Sequence, residues 1–232
     1  MNTDGPRIVT NGLIQCLDAV DKNSYPGSGA TWYDLSGNNN NATLINTPTY
    51  NGGSFTFNKD GTFGQYISLG INTSADLPNS LSIGLWINLL SSGNSWIVSS
   101  MDGSTQNLGE FGFYNGVIGG ISSAAFLMWT ADDVYSIARG TTLTSDIWHY
   151  VVGTFDSGDS TIKTYINGEL AATTVSPSSK SNLSNNFNVL TTGYSSIYYT
   201  GSVGAIYVHN RVLSAGEILQ NYKSLKTRFG KS

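Results

Sequence analysis

The side chains that could make this chain a catalyst are few and badly spaced for the work. Its 232 residues hold three Glu, at 110, 169 and 217, and two His, at 149 and 209. Glycoside cleavage needs two carboxyl groups facing across a groove, about 5–5.5 Å apart when configuration is retained. Glu110, in Glu110-Phe111-Gly112-Phe113, has no carboxylate two or four residues along. Glu169 follows an Asn-Gly pair and Glu217 stands where a helix cap requires an acid. No G-x-S-x-G elbow presents a nucleophilic serine. Cys16, the one cysteine, falls in the apolar run Leu13-Ile14-Gln15-Cys16-Leu17 and reads as a small core residue. One Cys and two distant His do not make a zinc set. These residues predict a chain that binds or builds rather than catalyses.

Ligand-holding chemistry is better represented. Asp34 and Asn38 in the loop 34–41, Asp102 before Gly103, and the pair Asp132-Asp133 offer the oxygens that a hard cation takes. Calcium is thus the one cofactor with candidate ligands, and no cofactor is expected to be required. Asp and Asn also form turns by bonding their own backbone, and one carboxylate per loop is little charge for tight calcium binding. The turn-forming reading is therefore preferred. Sugars present apolar faces and polar rims, which suits aromatic rings beside Asn and Asp. Tyr114, Trp129, Tyr135, Tyr198 and Tyr199 are the candidate rings for such a platform, whereas Trp32, Trp86, Trp148 and Phe155 are expected to be structural.

The elements that must position these groups are mostly strands. Only 11% of residues are charged, against roughly 25% in an average domain, and Asn, Ser, Thr and Gly supply the polarity instead. Leu81, Ile83, Leu85 and Ile87 alternate with polar or outward residues, as along a strand with one core face. Residues 96–99, 110–114, 125–129, 135–138, 187–192 and 202–209 read as further strands. Trp148 to Asp156 is apolar on both faces and predicts a central strand. Asn167-Gly168 separates two β-prone runs and predicts a tight hairpin, because a type I′ turn needs positive φ at both central positions. Ser214-Ala215-Gly216-Glu217 is a capping box, with Leu213 and Ile218 placed as a hydrophobic staple. A terminal helix over about 214–229 follows, its stripe of Ile218, Leu219, Tyr222 and Leu225 facing the sandwich and Gly230 marking the stop.

The predicted fold is all-β: a two-sheet antiparallel jelly-roll sandwich with one short C-terminal helix. Residues 1–12 read as a polar arm suited to docking on a neighbour, and residues 13–232 as a single domain. A net charge of −4 and a pI near 4.9 argue against a nucleic-acid partner. Lys223, Lys226, Arg228 and Lys231 are assigned to the solvated end of the helix. No apolar run approaches the roughly 18 residues of a membrane span, and no basic-then-apolar leader is recognised at the start.

Three passages resemble laminin G-like domains of the concanavalin A-like lectin/glucanase superfamily. The first holds Leu17-Asp18-Ala19, Tyr25-Pro26-Gly27-Ser28-Gly29 and Thr31-Trp32-Tyr33-Asp34-Leu35-Ser36-Gly37. The second joins Trp148-His149-Tyr150-Val151-Val152-Gly153-Thr154-Phe155-Asp156 to Tyr165-Ile166-Asn167-Gly168-Glu169-Leu170. The third runs from Gly204 to Ile218. The opening, the Tyr-Pro-Gly-Ser-Gly loop and the ending Thr227-Arg228-Phe229-Gly230 are similar to laminin G-like proteins carried by tailed bacteriophages. That resemblance implies a virion structural or accessory protein: a capsid decoration, head fibre or tail-associated adhesin. Its implied partners are other capsid or tail proteins, further copies of itself and host-surface glycans. It implies synthesis in the host cytoplasm without a signal peptide and exposure on the particle surface. The alternative is a lectin-like carbohydrate-binding module, aided by calcium, in a surface protein of another kind.

Overall fold

Sixteen short strands account for most of the regular structure in the computed structural model, which describes residues 7–58, 64–72, 76, 80–90, 94–99, 111–118, 120–129, 135–176, 186–189 and 199–232. The first six are β1 (Leu13–Asp18), β2 (Thr31–Trp32), β3 (Ala42–Ile45), β4 (Thr49–Tyr50), β5 (Phe55–Phe57) and β6 (Tyr66–Asn72). Next come β7 (Leu81–Leu89), β8 (Ser95–Ser99), β9 (Phe111–Ile118), β10 (Ile121–Trp129) and β11 (Tyr135–Arg139). The last five are β12 (Trp148–Asp156), β13 (Thr161–Ile166), β14 (Glu169–Val175), β15 (Asn186–Val189) and β16 (Gly201–His209), and helix α1 (Ala215–Leu225) follows them.

The strands form two eight-stranded antiparallel sheets. The first runs β14-β13-β12-β7-β16-β5-β4. One edge of β16 is shared there, since β5 pairs with Gly201–Val203 and β1 with Ala205–His209. The second runs β11-β10-β9-β8-β15-β6-β3-β2. Alternation places Leu81, Ile83, Leu85 and Ile87 on the inner face of the first sheet, against Phe111, Phe113, Phe126 and Ile67 from the second. Each such side chain contributes about 1.5–3 kcal/mol by leaving water.

β12 lies between β7 and β13 and is covered on both faces, as its sequence predicts. Val151 and Phe155 face the inter-sheet core, while Tyr150 and Val152 join Trp86, Tyr165 and Tyr207 in a second core on the outer face. Ile218 and Phe229 cover that second core. Asn167 (φ 53°) and Gly168 (φ 85°) form the expected hairpin, with Ile166 opposite Glu169.

The cap of α1 forms as its sequence predicts: Ser214 accepts from the Glu217 amide and Glu217 from the Ser214 amide. The helix stops at Leu225, short of the expected 229. Residues 226–230 instead make a final turn that ends on Gly230 (φ 68°) and lays Phe229 on Trp86. Residues 7–12, expected to be part of an arm available to a neighbour, are docked on their own domain. Val9 donates to Asn221 Oδ1 at 2.7 Å, Gln220 donates to Arg7 O at 2.6 Å, and Arg211 donates to Asn11 O at 2.9 Å.

Candidate functional site

Of the candidate catalytic groups, Glu217, His149, His209 and Cys16 are tied to the scaffold, while Glu169 is exposed at the start of β14. Glu217 accepts from both Ser214 and Arg211, and the Arg211 hydrogen bonds hold its carboxyl down at a pKa of about 2. His149 Nε2 meets Thr144 O and His209 Nε2 meets Val9 O, each at 3.0 Å. Burial depresses the pKa of both rings. Burial, aided by Asp18 and Asp34, pushes the Cys16 thiol up to about 12, far from a reactive thiolate. Glu110 lies outside the described residues.

The calcium candidates divide in a similar way. Asp34 Oδ1 accepts from the amides of Cys16 and Ser36, both at 2.8 Å, and Oδ2 accepts from Ser36 Oγ (2.7 Å) and the Asn40 amide (3.1 Å). Four donors take its four lone-pair positions, so Asp34 organises its turn. Asn38 Nδ2 donates to Leu13 O and Ser36 Oγ, and Asn40 Nδ2 to Ile14 O. Asn38 and Asn40 line an open polar cleft of about 350 Å³ with Ile14, Asp76 and Asn210. Asp102, Asp132 and Asp133 lie outside the described residues. Among the described residues no group of three His, Cys, Asp or Glu side chains could hold a metal ion.

Two of the aromatic candidates require correction. Tyr199 is 1% exposed, and its hydroxyl donates to Asn88 O and Ser202 O, so it is a core ring. Tyr114 is 4% exposed and packs edge-on to Trp96 at 5.0 Å. Neither ring can offer a face to a sugar. Trp129 and Tyr135 pair with each other across β10 and β11, and nothing further is described of their side chains; Tyr198 lies outside the described residues.

An aromatic cleft that these expectations missed lies where the chain crosses from one sheet to the other. β3 belongs to the second sheet and β4 ends the first, so residues 46–48 must bridge the open side of the sandwich. The cleft there encloses about 450 Å³ and is lined by Tyr25, Gly29, Ala30, Leu44, Thr47, Pro48 and Tyr50. Tyr25 and Tyr50 meet edge to face at 4.8 Å, and both pack on Phe55, which also contacts Trp32. The rings therefore rest on the inter-sheet core.

Backbone hydrogen bonds set the walls. Tyr25 O–H donates to Gly29 O at 3.0 Å, and the Leu44 amide donates to Ala30 O at 2.7 Å. Tyr50 O–H donates to Ala19 O at 2.9 Å. Burial, with Tyr50 adding to it, raises the Tyr25 phenol pKa, so the ring stays neutral near pH 7. Asn46 (φ 58°) and Thr47 (φ 51°) are consecutive residues in the left-handed region, which is costly for a β-branched side chain. Asn46 Nδ2 donates to Gly64 O and Gln65 Nε2 donates to Thr47 O, which hold this bridge in place. Backbone held against its preference gathers at ligand sites. The loop Tyr25–Gly29 was legible in the sequence, but nothing there showed that it would meet Tyr50.

Two antiparallel sheets packed face to face, with a cleft at their open side, define a lectin-type jelly roll. The chain belongs to the concanavalin A-like lectin/glucanases superfamily, whose laminin G-type model matches residues 60–219. A search of curated proteins returned no match. Similar solved structures include the binding domain of botulinum neurotoxin DC, in one case in complex with SialylT and in another with rat synaptotagmin II. These are 17% and 16% identical, with TM-scores of 0.68 and 0.69, over 93% and 94% of this chain and 52% of each of those chains. Trypanosoma rangeli sialidase in complex with the inhibitor DANA is also similar, at 17% identity and a TM-score of 0.68, over 94% of this chain and 34% of that one. The chain thus spans about half the length of the neurotoxin domains, and the likeness is one of fold.

Proposed function

We propose that the domain is a non-catalytic binding module that takes glycan in the cleft of Tyr25, Thr47, Pro48 and Tyr50. The observation that carries this reading is the partly exposed Tyr50 ring, backed by Tyr25 over Phe55 and beside the strained Thr47, in a concavity of small-ligand size. Ring carbon can meet the apolar face of a sugar, while Thr47 and the backbone at the rim meet its hydroxyls. A glycan array on the intact chain tests the reading, and Tyr50→Ala should remove whatever signal is found. An array without signal would reject it. The same array run with a chelator tests whether calcium assists binding.

We infer further that this binding serves a tailed-phage particle, with other virion proteins as partners. The support is the sequence resemblance, two of whose passages also meet in the fold. Asp18, of the Leu-Asp-Ala opening, pairs with Arg228, of the Arg-Phe-Gly ending, at 2.8 Å. Mass spectrometry of purified particles decides the matter, since absence of the chain from them would end this reading.

A further inference from the structure

We propose that the aromatic cleft selects an uncharged pyranose and rejects sugars that carry a carboxylate or sulfate. The proposal rests on the glycan reading above and specifies the class of sugar. Its basis is the chemistry of the wall. Among the described residues lining the cleft none is cationic or anionic: two Tyr, Leu44, Pro48, Ala30 and Gly29 surround the single aliphatic hydroxyl of Thr47. The Tyr50 hydroxyl is turned into the protein, on Ala19 O, so its partly exposed ring presents carbon to the ligand, backed by Tyr25, which is 5% exposed and bonded to Gly29 O.

An anionic sugar needs a fixed donor of charge, best a guanidinium fork. Among the described residues no guanidinium lines the cleft. The turn that leads into Tyr25 carries Asp21 and Lys22 side by side, one charge of each sign, and the Asp21 carboxylate accepts from Asn23. Arg228 binds Asp18 through both carboxylate oxygens and lies over Phe229, on the outer face of the first sheet. A carboxylate placed against Tyr50 would lose its hydration shell and gain no cationic partner from the described lining. The net charge of −4 adds a weak repulsion. A neutral pyranose keeps one apolar face for the rings and needs only the Thr47 hydroxyl and rim backbone for its polar edge.

The test is titration calorimetry of the intact chain with matched sugars: lactose against 3′-sialyllactose, and a neutral oligosaccharide panel against oligogalacturonate and a sulfated disaccharide. The expected result is binding to a neutral sugar and at least tenfold weaker binding to its acidic counterpart. Tyr50→Phe keeps the neutral binding and Tyr50→Ala loses it, with unchanged circular dichroism showing both variants folded. Acidic sugars binding as tightly as neutral ones, through the same Tyr50, would overturn the selectivity and leave the glycan site standing. Neutral binding that survives Tyr50→Ala would overturn the assignment to this cleft. Failure of every sugar to bind would remove the glycan reading and this proposal together.

Discussion

The ring of Phe229 lies on the indole of Trp86, with 4.4 Å between centroids and 15° between planes, although 143 positions separate the two residues. Tyr150 and Tyr222 stack on the same indole at 5.3 and 5.6 Å, and Trp148 closes on Phe229 from the side at 4.7 Å. Gly204 makes the arrangement possible, because a Cβ there would collide with the Phe229 ring. The C-terminal turn is thereby part of the outer core.

Gly204→Ala should therefore displace the tail and cost about 1–3 kcal/mol, the range for overpacking. Phe229→Ala should cost about 3 kcal/mol, as for other buried rings. Urea denaturation of both variants measures this, and wild-type midpoints would show that the tail is merely draped on the sheet.

The cap of α1 gives a second expectation. Ser214→Ala removes the acceptor for the Glu217 amide and should cost about 1 kcal/mol. Because the Glu217 pKa lies at about 2, below its ordinary value of 4.5, its ionised form stabilises the fold. That contribution is complete above about pH 4.5 and is lost as pH falls through 2. Glu217→Gln should flatten the stability profile in that window, as followed by unfolding at constant ionic strength.

The histidines act at a milder pH. His149 and His209 are 6% and 1% exposed, each with Nε2 on a backbone carbonyl and Nδ1 buried without a partner among the described residues. Protonation would place an unpaired N–H at Nδ1, and burial lowers both pKa values below 6.5, with Lys231 acting on His149 and Arg211 on His209 in the same direction. The unfolded chain then binds more protons, so stability is complete above about pH 6.5 and declines as pH falls below it. Unfolding free energy measured from pH 7.5 to 5 should fall, and a flat profile would contradict the burial of these rings.

The strain in the bridge between sheets makes a paired prediction. Thr47→Gly relieves a left-handed β-branched residue and should stabilise the fold by about 1 kcal/mol. The same change deletes the one aliphatic hydroxyl in the cleft lining and should weaken sugar binding several-fold. Thermal melts and calorimetry on one preparation measure both effects.

What the sequence made legible follows from how local each signal is. The Asn167-Gly168 hairpin and the Ser214–Glu217 cap are set within four residues, and both form as read. The alternation of Leu81, Ile83, Leu85 and Ile87 assigned the core face of β7 correctly. β2, β4 and β5 are two or three residues long and leave no periodicity to detect. Tyr114 and Tyr199 read as surface rings in the sequence because their burial depends on strands far away in the chain: Tyr199 is held by Asn88 O. The cleft escaped for the same reason, since Tyr25 and Tyr50 belong to separate local segments that meet over Phe55.

The most direct measurement of the central claim is a titration of the 15N-labelled chain with a neutral oligosaccharide found to bind, read amide by amide. Binding in the aromatic cleft should centre the shifts on Gly29, Ala30, Leu44, Thr47 and Tyr50, the residues around it. Shifts centred on Asn38, Asn40 and Asn210 in the polar cleft, with the Tyr50 amide unmoved, would contradict it.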